Sequence, residues 1–96
     1  MHIIIRKALI QFWEKHPDSE TALQRWFKIV QKTDFQNFAQ LRAAFPSADK
    51  VDQWIVFNIG GNKYRLVVWI NTPYRVLYVR FLGTHEEYDR IDAQTI

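Results

Sequence analysis

Apolar positions along the chain change their spacing near its middle. Leu9, Phe12, Trp13 and His16 recur at intervals of one, three and four, and so do Ala22, Leu23, Trp26, Phe27 and Val30. That period puts one face of an α-helix against a neighbour. The first stripe predicts a short helix ending before Pro17. The second predicts a helix capped by Asp18, with Ser19 and Glu20 in its first turn. A weaker third helix is expected from about Asn37 to Phe45, stopped by Pro46. Ahead of them, the β-branched run Ile3-Ile4-Ile5 reads as a strand, and 47–53 reads as a polar loop.

From Trp54 onward the period is two, which predicts a β-meander. Gly60, Gly61 and Asn62 separate strand 54–59 from strand 63–70. A two-residue Gly61-Asn62 turn sets Asn58 opposite Arg65 and Phe57 opposite Leu66. A loop over Asn71-Thr72-Pro73-Tyr74 then pairs Ile70 with Arg75, Leu66 with Val79, and Arg65 with Arg80. In this register one face carries Ile55, Phe57, Ile59, Tyr64, Leu66, Val68, Leu77, Val79 and Phe81, suited to receiving the helices. The other carries Asn58, Lys63, Arg65, Val67, Trp69, Tyr78 and Arg80. Thr84 and Glu87 have the spacing of a capping box, so a last short helix should begin at His85 and align it with Tyr88. The expected fold is α+β: an N-terminal strand and two helices on one face of a small antiparallel sheet, closed by a short C-terminal helix. With 96 residues, positions 1–96 are expected to form one domain.

Charge sharpens the picture. The net charge is only +3, but no Asp or Glu occurs between Trp54 and Thr84, while Lys63, Arg65, Arg75 and Arg80 all do. Four of the ten acids fall in the last eleven residues. Cations gathered on adjoining strands repel one another, so they point to an anion rather than to folding. Arg75, at a loop end, reads as an ordinary solvated charge, and His16 as a helix-end residue facing the dipole. The absence of Cys removes disulfides and thiolate metal sites. The apolar start is too short for a signal h-region or a membrane span, so a cytoplasmic location is expected.

Several chemistries fall away. Gly60-Gly61-Asn62-Lys63 is followed by Tyr64 and a strand, not by the Ser/Thr and helix of a phosphate-binding loop. His85 and Asp89 lack an evident third ligand, so neither metal nor cofactor is expected. Ser19 and Ser47 sit in no nucleophile context. There remains phosphodiester chemistry in which RNA supplies its own 2′-hydroxyl. That needs in-line alignment, a proton acceptor and donor, and positive charge around the phosphorane. The expected catalytic set is Lys63, Arg65, Arg80, His85 and Tyr88. The expected RNA contacts are Lys63, Arg65, Tyr78, Arg80 and Trp69, the aromatic rings serving as stacking surfaces.

The runs VFNIGGNKYRLV (56–67) and GTHEEYDRID (83–92) resemble the HigB toxins of the RelE superfamily. So do RKAL at 6–9, WEKHPD at 13–18 and FPSAD at 45–49, which extends the likeness over essentially the whole chain in order. The resemblance implies a ribosome-dependent mRNA interferase, the toxin of a type II toxin–antitoxin pair, acting on mRNA in the ribosomal A site. It implies a helix-turn-helix antitoxin as partner, operator DNA reached only through the complex with it, and no membrane. It also matches Lys63 and Arg65 to the family's basic pair, Arg80 to the arginine of the next strand, and His85 with Tyr88 to its C-terminal polar pair. The division between base and acid stays open. Trp69 departs from the pattern, which favours something smaller or more polar there. Two rival readings remain. One is a non-catalytic nucleic-acid-binding module acting in operon autoregulation with its antitoxin; the other is an interaction protein that pairs its basic face with an acidic tail.

Overall fold

A computed structural model describes residues 1–4 and 6–91. In it β1 (His2–Ile4) leads into α1 (Arg6–Lys15), a 3-10 turn (Pro17–Ser19), α2 (Glu20–Lys32) and α3 (Phe38–Ala44). There follow β2 (Asp49–Val51), β3 (Trp54–Ile59), β4 (Tyr64–Asn71), β5 (Val76–Thr84) and α4 (His85–Asp89). Ile5, expected in the first strand, lies outside the described residues, as does Asp92. The strands form one sheet in the order β1-β5-β4-β3-β2, antiparallel except that β1 runs parallel to β5. A parallel neighbour needs a crossover, and the helices supply it. Among the described residues no helix is long and apolar enough to cross a membrane.

Leu9, Leu23, Trp26, Val30 and Leu41 from the helices pack on Phe57, Leu66, Val68 and Leu77 of the sheet, all essentially inaccessible. Trp26 meets Phe57 edge-to-face at 5.5 Å between ring centres. Burial of these apolar side chains is the main force joining the layers. The α-amine of Met1 ties β1 to the end of α2. It donates to the carbonyls of Val30, Gln31 and Thr33 at 3.0–3.2 Å and pairs with Asp34 at 3.2 Å. A cation placed on the last carbonyls of a helix gains from both hydrogen bonding and the dipole. Asp34 also holds Arg75 at 3.5 Å, so that arginine is ion-paired at its loop end.

Three local expectations change. The segment 47–53 contains an edge strand, Asp49–Val51, paired with Val56, Ile55 and Trp54. Asp18 does not cap α2. The preceding 3-10 turn makes Ser19 the N-cap, without a side-chain cap bond, and its hydroxyl donates instead to the His16 carbonyl at 2.7 Å. Lys63 lies in the turn rather than on β4, with Gly60 and Gly61 at φ +62° and +70°, a region in which glycine avoids a Cβ penalty.

Between β3 and β4 the register is the expected one, Asn58 opposite Arg65 and Phe57 opposite Leu66. Between β4 and β5 it is not. The turn covers Thr72 to Arg75, closed by an Arg75 amide to Thr72 carbonyl bond of 3.1 Å, so Ile70 faces Leu77 and Val68 faces Val79. Beyond that point Val67 faces Phe81, leaving Arg80 as an extra residue in a β-bulge. The bulge reverses the alternation of the strand. Leu82 packs toward the core, whereas Phe81, assigned above to the core face, lies on the outer face opposite Val67. Arg65 faces Gly83 rather than Arg80.

Gly83 is needed where it stands, because a Cβ there would come within 2.7 Å of Phe81 Cζ and 3.2 Å of its Cε1. Gly83→Ala should therefore lower stability. Overpacking of about 1–3 kcal/mol outweighs the roughly 0.4–1 kcal/mol that alanine gains by restricting the unfolded chain. Adding Phe81→Leu should recover most of the loss. Urea-denaturation midpoints of the two single variants and the double variant check this. Strict additivity would show that the ring is not the obstacle.

Candidate active site at the end of the sheet

The site forms where β4 begins and β5 ends. Thr84 closes β5 and starts α4 through a complete capping box. Its amide donates to Glu87 Oε1 at 3.0 Å, and its hydroxyl accepts the Glu87 amide at 3.1 Å. The His85 amide donates to the Lys63 carbonyl at 2.9 Å, anchoring the helix to the opposite turn. Helix α4 packs against β4 and β5. His85 and Tyr88 are thereby fixed to two strands rather than hung on a free tail.

Each sequence-predicted residue has a distinct setting. The His85 imidazole is partly exposed, and its Nδ1 lies 2.8 Å from Asp89 Oδ2, one helical turn on. Tyr88 inclines against Phe81, ring centres 6.5 Å apart. Burial holds its phenol above the ordinary range; the Arg65 cation pulls it down, while Asp49 and Asp89 push it further up. Tyr88 thus keeps its proton at neutral pH. Arg65 is only 9% exposed, not the open surface cation expected. Its Nη1 donates to the carbonyls of Asn62 and Tyr64 at 3.2 Å, and its Nη2 to Asn62 Oδ1 at 2.7 Å. Those bonds leave the Nε–H and one Nη2–H for an anion. Lys63 is well exposed, but its Nζ turns 3.1 Å from Asp18 Oδ2, toward the helical layer. Arg80 is exposed in the bulge, several residues along the strand from the Arg65–Gly83 pair.

The expectation of three cations pointing out together is thus corrected. Arg65 and Arg80 share the outer face at separate levels, and Lys63 occupies the lip between the sheet and the 3-10 turn. Trp69 and Tyr78 are cross-strand partners farther along that face, their rings stacked at 5.3 Å and 24°.

His16 was missed as a neighbour of the site. Its ring stacks on Phe12 at 4.5 Å and approaches Tyr64 at 5.3 Å, and its charge reaches Glu87 on α4. Sequence spacing carried no signal for this, since residues 16, 64 and 87 meet only through the tertiary fold. Asp18 is part of the same group, accepting from the Tyr64 hydroxyl at 2.5 Å as well as pairing with Lys63. Among the described residues no group of three His, Cys, Asp or Glu is placed to hold a metal.

One short helix carries an imidazole and a phenol, with a largely buried guanidinium near the phenol, groups able in principle to accept a proton, donate one and hold an anion. Residues 19–91 match the family model of the HigB toxins, described as the RelE-like toxic component of a toxin–antitoxin system. This chain belongs to the HigB toxin family. The mRNA interferase toxin HigB of Escherichia coli strain K12 is 38% identical over 96 residues, covering 97% of this chain and 92% of the relative. The mRNA interferase HigB of Escherichia coli O6:H1 strain CFT073 is 31% identical over 94 residues, covering 95% and 91%. An mRNA interferase HigB of Shigella flexneri is 38% identical, with 97% and 92% coverage.

The carboxylates that frame the toxin's site also govern its stability. The Tyr64 hydroxyl and then Lys63 hold Asp18 below its ordinary pKa; the Thr84 amide and hydroxyl do the same for Glu87. A carboxylate depressed in the fold adds stability above its unfolded pKa and loses it as pH falls through the folded value. Tyr64 is shifted upward, by Asp18 and then by burial, so its share is present below its unfolded pKa and lost as pH rises through the folded value. Urea midpoints should therefore fall below about pH 4 and again in strong alkali. The Asp18→Asn variant should be weaker at neutral pH, with both limbs flatter. An acid limb identical to that of the wild type would count against this account.

Proposed function

We propose that this HigB-family chain is an endoribonuclease that cuts messenger RNA in the ribosomal A site, using the RNA's own 2′-hydroxyl as nucleophile. The observation that carries this reading is His85 held by Asp89 at the start of α4, on the same short helix as Tyr88, whose phenol feels the Arg65 cation. With Nδ1–H donated to Asp89, the imidazole leaves Nε2 to accept the 2′-proton, as a carboxylate-oriented histidine does elsewhere. The 2′-oxygen then bonds to phosphorus as the bond to the 5′-oxygen breaks, giving a 2′,3′-cyclic phosphate and a 5′-hydroxyl whose proton comes from solvent. Arg65 is locked before substrate arrives and stabilises the equatorial oxygens without reorganising. Tyr88 retains its proton and donates a hydrogen bond to the same phosphate. Lys63 exchanges Asp18 for a backbone phosphate, since an exposed ion pair is weak and readily displaced. Arg80 provides a further phosphate contact along the sheet.

The same reading includes a helix-turn-helix antitoxin that neutralises the toxin and, in complex with it, binds operator DNA and represses the shared operon; it also includes a cytoplasmic location for both proteins. An acidic antitoxin segment suits the acid-free strands of the outer face.

His85→Gln should slow cleavage of ribosome-bound message by about 10²- to 10⁴-fold with RNA binding retained. Arg65→Ala should slow it by a comparable factor. A 2′-deoxynucleotide at the cut site should abolish cleavage by the wild type. Reactions of antitoxin-free protein with purified, programmed ribosomes measure all three. Intact messages with wild-type toxin would end the proposal, and equal loss of cutting and binding in His85→Gln would favour a non-catalytic binding module.

A further inference from the structure

The outer face of β4 and β5 is a ladder of cross-strand pairs that starts at the site and ends on two stacked rings. Arg65 faces Gly83, Val67 faces Phe81 with Arg80 bulged beside it, and Trp69 faces Tyr78. Along β4 the top rung is four residues from Arg65, about 13 Å at the usual strand rise. Trp69 and Tyr78 are 37% and 38% exposed, the opposite of what a core pair would be. Neighbouring Val56 and Val67 are buried, so on these strands the two rings stand exposed, with Tyr74 of the adjoining turn also open to solvent.

The geometry points to Trp69 and Tyr78 as a stacking platform for an RNA base lying a short run of nucleotides from the bond cut beside His85. Three features favour a base over a protein partner. The rings lie nearly parallel, presenting a planar surface to a planar ligand. They interrupt strands that carry Arg65 and Arg80 and no acid, a basic track with aromatic rings along it, as single-stranded nucleic acid requires. Their exposed area is also small against the roughly 800 Å² per partner of a stable protein interface. The platform rests on the ribonuclease reading for its substrate, but it deepens that reading by adding a base-recognition position away from the scissile phosphate. It also gives a physical reason for a tryptophan at a position where a smaller or more polar residue was expected.

The test uses full-length chain in a His85→Gln background, which spares the RNA, and a fluorescent single-stranded oligoribonucleotide titrated at several salt concentrations. Trp69→Ala and Tyr78→Ala should each weaken binding by about 5- to 150-fold, while Trp69→Phe, which keeps a ring, should lose only a few-fold. The salt slope should not change in these variants, because no phosphate contact is removed; Arg80→Ala should reduce it by about 0.7. Replacing single nucleotides by abasic residues should locate one position at which the wild type loses affinity and Trp69→Ala loses no more. Unchanged RNA affinity in both alanine variants would overturn the platform, as would absence of RNA binding by the parent. A loss of antitoxin affinity without loss of RNA affinity would overturn it too, and mark the rings as a protein-docking point. The cleavage assay is separate: a toxin that cuts but ignores Trp69→Ala refutes only the platform, and one that binds through Trp69 without cutting refutes only the nuclease.

Discussion

Between Val79 and Phe81 the fifth strand has one residue more than its partner, and the site depends on that surplus. A strand shows its side chains alternately to two faces, so one inserted residue exchanges the faces for everything that follows. Without the bulge, Phe81 would enter the core, Leu82 would face solvent and Gly83 would lie on the inner side. With it, Leu82 joins the core and Gly83 stands opposite Arg65, where the absence of a Cβ makes room for the Phe81 ring. Tyr88 then lies against Phe81, and α4 settles on β4 and β5. The chain thus spends one irregular backbone position to carry its imidazole and phenol onto the face that carries the guanidinium.

The cations of the site differ because their solvation differs. Lys63 keeps most of its hydration and is paired only at the surface, so it remains exchangeable. Arg65 has given up much of its hydration, and only its bonds to Asn62 and Tyr64 make that tolerable. Such a group is poorly suited to sweeping through solvent to find a phosphate. It is well suited to remaining where charge will develop, because its orientation is fixed before substrate arrives. Arginine fits this place better than lysine, since its fork can serve backbone carbonyls on one side and retain donors on another.

Much of the architecture was legible from short-range rules. The helical stripes, the register across Gly60-Gly61, and the Thr84–Glu87 capping box depend on residues within a few positions of one another, and the structure contains all three. The β4–β5 register failed because the loop was placed one residue early and the bulge was not recognised. The clue was present in Phe81-Leu82, two adjacent large apolar residues just after Arg80, where strict alternation would have put one of them on the solvent side. Asp18 was misassigned because a local preference for capping lost to a tertiary attraction: the Tyr64 hydroxyl and the Lys63 ammonium both claim its carboxylate. The helical stripe placed His16 with Phe12, but no local rule could bring it to Tyr64 of β4 or to Glu87 of α4. The edge strand at Asp49–Val51 has only three residues, two of them charged, and offers neither β propensity nor alternation to detect.

Carboxylates beside a proposed anion site look at first like a contradiction. Asp18 faces Lys63 and Asp89 faces His85, and Glu86 and Glu87 open the last helix. Their placement resolves it. Asp18 and Asp89 each sit against one basic group, and Glu87 is engaged by the helix cap, so these three are already engaged. In the free toxin Asp18 partly neutralises Lys63 at the surface. When a polyanion arrives, surface pairs are the contacts most easily exchanged, because water and counterions already compete for both partners.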